Sequence, residues 1–93
     1  MEKTTDIDRV LSYIVEQLDK YAVNCKHSIK KNGEHGFIIS RKVGDAGDVG
    51  YAITSRMIRR MSESESIRDA MIRDIRCDLS FAGMMLVSRR TRG

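Results

Sequence analysis

The sequence predicts a small α+β domain: an N-terminal helix, a β-hairpin, two further helices and a C-terminal strand, in the order α-β-β-α-α-β. Three observations carry this. Apolar residues recur at helical spacing over the first twenty positions, an Asn-Gly pair separates two short alternating segments, and a long helical period follows a Ser/Glu-rich break. Ninety-three residues form one domain, 1–93, with a thin core, so burial against a second copy in a homodimer is expected.

The first helix is expected over residues 6–22. Ile7, Val10, Leu11, Ile14, Val15, Leu18, Tyr21 and Ala22 share one face, and Thr5 or Asp6 supplies a capping oxygen. The hairpin comes next, turning at Asn32-Gly33. A two-residue turn there would put Ile29 and Phe37 on opposite faces. A bulged turn pairs Ile29 with His35, His27 with Phe37 and Cys25 with Ile39, which gathers Cys25, Ile29, Phe37 and Ile39 on one dry face. The bulged turn is therefore expected. Gly44, Gly47 and Gly50 mark a surface loop; its two aspartates disfavour phosphate, and its spacing fits no dinucleotide or P-loop motif.

Residues 51–62 fit two templates. Val49, Tyr51 and Ile53 alternate as in a strand, whereas Ile53, Met57, Ile58 and Met61 fit a helix, and the helix-forming Arg and Met residues favour a helix from about Ala52. Ser62 and Glu65 have capping-box spacing, and Ile67, Met71, Ile75, Leu79 and Ala82 mark the inner face of a helix over 64–81 on which Asp69 and Arg73 can pair. A glycine inside a helix costs about 1 kcal/mol relative to alanine, and a two-stranded sheet is marginal. Gly83 is thus expected to end the helix, with a strand over 84–89 and a frayed basic tail over 88–93. A strand over 49–55 would instead give α-β-β-β-α, the order of double-stranded-RNA-binding domains. That family opens its second helix with a lysine cluster, whereas this chain has Ser62-Glu63-Ser64-Glu65, and it is not assigned there.

Charge is distributed unevenly. The first fifty residues balance eight basic against eight acidic side chains; the remainder holds nine arginines, no lysine and five acids. Arginine suits bidentate contact with phosphate or carboxylate. Arg68, Arg73 and Arg76 alternate with Asp69, Asp74 and Asp78 as on a solvated face. That leaves Arg56, Arg59 and Arg60, with Arg89, Arg90 and Arg92 at the C-terminus, as the expected binding residues. Two partners suit them: nucleic-acid backbone, or an acidic surface of a partner protein on which the chain docks as an inhibitor or adaptor. No aromatic residue adjoins these arginines in the sequence to stack on bases.

Other chemistry finds less support. The five internal methionines lie in the second half and read as adaptable core filler. Cys25 and Cys77 read as reduced, buried thiols. Cys25, His27 and His35 would share a face of the bulged hairpin, but they match no zinc pattern, and neither a metal nor a cofactor is expected. A Cys–His nucleophile lacks an orienting third group and oxyanion donors, so no enzyme and no small-molecule substrate are expected. The charged first twenty residues contain no leader-like apolar run and no stretch approaches membrane-spanning length, giving the expectation of a cytoplasmic protein without membrane contact.

Overall fold

The chain opens with a helix, α1 (Glu2–Tyr21), because its apolar residues fall on one side. Val10, Leu11, Ile14 and Leu18 are buried along it. The computed structural model describes the backbone of residues 2–21 and 25–92, and the side chains of 7–21 and 25–89. The helix starts earlier than expected, so Thr5 and Asp6 lie within it rather than capping it, and Ala22 falls outside the described residues.

Three strands come after it: β1 (His27–Lys31), β2 (Gly36–Val43) and β3 (Gly47–Thr54). They form an antiparallel meander in the order β1-β2-β3. Lys31 pairs with Phe37, Ile29 with Ile39 and His27 with Arg41. The first turn is thus longer than a bulged Asn-Gly turn. The Asn32 N–H donates to the Gly36 carbonyl at 2.9 Å, and Gly33 has φ 76°. The expected pairs are displaced by an even number of residues, and an even displacement preserves the faces. Ile29, Phe37 and Ile39 still point to the core, with Ser28 and Lys30 on the other side.

The third strand comes from residues assigned to a loop and a helix. Phe37 pairs with Ile53, Ile39 with Tyr51 and Arg41 with Val49, so the alternation of Val49, Tyr51 and Ile53 prevails over the helix propensity of the Arg- and Met-rich segment beyond it. The glycine loop shrinks to Gly44–Ala46, closed by the Ala46 N–H on the Val43 carbonyl at 2.9 Å. Gly44 and Gly47 have positive φ, 49° and 129°, which glycine adopts without penalty.

Thr54 then turns strand into helix: its Oγ1 accepts from the Met57 N–H at 3.1 Å, capping α2 (Ser55–Glu63). Ser64 separates it from α3 (Glu65–Arg92). The Ser64 hydroxyl accepts from the Ile67 N–H at 3.3 Å, so the capping oxygen is Ser64 rather than Ser62, whose hydroxyl donates to the Arg59 carbonyl at 2.7 Å.

α3 runs through Gly83 without a break, and the strand expected over 84–89 is helix. The need for a third strand was real, but β3 meets it. Gly83 is buried under the β2–β3 turn, where a Cβ would lie 3.6 Å from a Val43 methyl. Packing over this turn supports the helix where its propensity is weakest. The observed order is α-β-β-β-α-α, and the α+β class holds. The core lies between helices and sheet: Ile14 and Leu18 from α1, Ile39 and Ile53 from the sheet, Ile58 and Met61 from α2, Ile72, Ile75 and Leu79 from α3. Among the described residues, no helix is long and apolar enough to cross a membrane.

Candidate nucleic-acid interface

α2 is short and one-sided. Ser55, Ile58 and Met61 are buried, which turns Arg56, Arg59 and Arg60 outward. All three are exposed. Arg56 and Arg60, one turn apart, project side by side with Arg59 next to them. Among the described residues, none of the three lies within ion-pairing distance of a carboxylate.

The other predicted arginines sit elsewhere. α2 leaves the sheet where the Ser55 N–H bonds the His35 carbonyl at 2.8 Å. The end of α3 lies at the opposite edge, where a Cβ on Gly47 would sit 3.5 Å from the Leu86 side chain. The eight residues of β3 separate these ends by about 24 Å. Arg89 is exposed near the far end; the side chains of Arg90 and Arg92 lie outside the described residues. A strand over 84–89 could have carried the tail back towards α2. The helix backbone carries it away, and Arg89 shares no surface with Arg56, Arg59 and Arg60.

Arginines read as a solvated, ion-paired face serve another purpose. Arg68 lies over the Tyr13 ring, 5.1 Å from its centroid, and Arg76 over the Tyr21 ring at 4.0 Å. Both pairs are eight residues apart on their own helix, so α1 and α3 run side by side with a cation–π rung every second turn. Matching spacing was the available signal, though sequence alone does not say that the helices are neighbours. Among the described residues Asp69 and Arg73 form no ion pair. They line an open groove between the helices with Tyr13, Gln17, Tyr21 and Arg76.

The Cys25, His27 and His35 grouping is not assembled. His35 is in the turn, exposed and 3.7 Å from Glu34. His27 is buried between α1 and β2. Its Nδ1–H donates to Asp19 Oδ1 at 2.7 Å, its backbone N–H donates to the same oxygen at 3.0 Å, and Nε2 accepts from the Arg41 Nε–H at 2.9 Å. In this arrangement Nδ1 faces an acceptor and Nε2 a donor. The His27 hydrogen bond, ahead of opposing desolvation, holds the Asp19 carboxyl below its ordinary pKa. Nε2, the atom that would take a proton from a nucleophile, is already occupied. Cys25 is half-buried, and Cys77 is exposed on α3 rather than buried as expected. Among the described residues no three His, Cys, Asp or Glu side chains are grouped to hold a metal.

No family model, curated protein or solved structure matches this chain. The functional reading therefore stands on the chain's own residues. The methionines divide: Met61 is buried and Met57 and Met71 pack against the core, whereas Met84 and Met85 are exposed. The latter two, with Phe81, are exposed apolar residues that the core-filler reading missed.

Proposed function

We propose that this is a non-enzymatic binding protein whose α2 arginine face contacts nucleic-acid backbone with little sequence preference. The observation that carries the reading is the set Arg56, Arg59 and Arg60, exposed together and free of ion pairs among the described residues. Guanidinium groups held side by side on a packed helix suit successive phosphates. Phosphate contact fixes position on a duplex without reading bases. The occupied imidazole of His27 supports the non-enzymatic part of the reading. The other partner class, an acidic protein surface, would use the same guanidinium groups and is the alternative outcome of the test.

The test is fluorescence anisotropy with a generic labelled duplex at low salt. Arg59→Glu with Arg60→Glu should weaken binding on the order of a hundredfold, since two charge-assisted contacts are reversed. Both side chains are exposed, so the unfolding free energy should change by less than about 0.5 kcal/mol. A wild-type chain that binds neither duplex nor single strand at low salt would turn the reading to an acidic protein partner.

A further inference from the structure

α3 is apolar on two opposite sides. One buries Ile72, Ile75, Leu79 and Gly83 against the sheet and its turn. Directly opposite, Asp74, Cys77, Phe81, Met84, Met85 and Ser88 recur at spacings of three and four and are all exposed. Phe81 is 64 %, Met84 70 % and Met85 44 % exposed. A helix of a small monomer has no reason to concentrate large apolar side chains on its wet side, and such a patch marks a contact surface. From Asp74 to Arg89 the stripe runs for about 23 Å.

We infer that this stripe pairs antiparallel with the same stripe of a second copy, forming a two-fold homodimer. Charge complementarity selects this occupant. The stripe carries Asp74 at its N-terminal end and is flanked, about a quarter-turn round the helix on one side, by Asp78 and, at its C-terminal end, by Arg89. All three are exposed, and among the described residues none has an ion pair. An antiparallel pair with its axis level with residues 81–84 brings Phe81, Met84 and Met85 of the two copies together. An axis midway between 81 and 82 sets Asp74 opposite Arg89 of the second copy; one midway between 83 and 84 sets Asp78 opposite it. A parallel pair would set Asp74 against Asp74 and Arg89 against Arg89. The surface is therefore complementary to itself only after a two-fold turn, as an isologous contact requires.

Sedimentation at tens of micromolar in the absence of nucleic acid, which separates this inference from the proposed function, should give twice the 10.6 kDa chain mass. Phe81→Asp with Met84→Asp should give a monomer with an unchanged helical circular dichroism spectrum, because both side chains are exposed. Asp74→Arg with Asp78→Arg should weaken association by about tenfold, and adding Arg89→Asp should restore it. In the antiparallel pair the two Cys77 residues stand about 13–20 Å apart along the axis, beyond disulfide reach. Oxidation should then cross-link a Met84→Cys variant if the axis lies between 83 and 84, or a Phe81→Cys variant if it lies between 81 and 82, each also carrying Cys25→Ser and Cys77→Ser, and should not join Cys77 to Cys77 in the wild type. A monomeric wild type, a dimer indifferent to Phe81→Asp with Met84→Asp, or a ready Cys77–Cys77 disulfide would each overturn the inference.

Discussion

His27 shows how a residue's role is decided by partners distant in sequence. Its imidazole has ligand chemistry, yet it is a buried tie between the end of α1 and the sheet, held by Asp19 and Arg41. Removing the imidazole in His27→Ala would leave the Arg41 and Asp19 groups unmatched and should cost about 1–3 kcal/mol in a denaturant melt. The Asp19 carboxyl adds a pH dependence of known sign. Its folded pKa is lowered, so its contribution is present above the ordinary carboxylate pKa, about 3.9, and is lost as pH falls through the folded value. Thermal melts below pH 4 should therefore decline more steeply for the wild type than for Asp19→Asn; parallel declines would mean that the tie does not depend on ionisation. Nothing in the sequence near His27 announces this role, because its partners lie eight and fourteen positions away.

At the scale of elements, local chemistry was most legible where one period ruled. Apolar spacing gave α1, although Tyr21 of its expected dry face is exposed, and it gave Ile75 and Leu79 on the buried side of α3 but not Ile72. It also gave the parity of the hairpin: Ile29, Phe37 and Ile39 share a face although the turn is longer than the Asn-Gly signal implied. Legibility failed at residues 49–54 and 84–89, where short segments fit two periods and tertiary contacts chose between them. β3 gained hydrogen-bond partners along all of β2. α3 kept its course over Gly83 because that glycine packs on Val43. A Cβ there makes ordinary contact rather than a clash, so Gly83→Ala should raise stability by about 1 kcal/mol through helix propensity. A destabilised variant would show that the helix–turn packing is tighter than these distances indicate.

Across the whole molecule, six of the nine arginines in the second half divide into three sets. Arg68 and Arg76 stack on tyrosines between helices, Arg89 flanks the C-terminal end of the self-complementary stripe, and Arg56, Arg59 and Arg60 face solvent on α2. The sequence shows the excess but not this division, which depends on which helix lies beside which. The dimer would present two α2 faces, and two faces able to reach one duplex gain avidity without new contacts. The salt dependence of duplex binding tests the central claim most directly. Three guanidinium–phosphate contacts predict that log K falls against log salt with a slope of about −2.7, or about −5.4 if both faces of a dimer engage one duplex, and that Arg59→Glu with Arg60→Glu flattens it. Binding with no salt dependence, or a slope unchanged by that double substitution, would contradict the account.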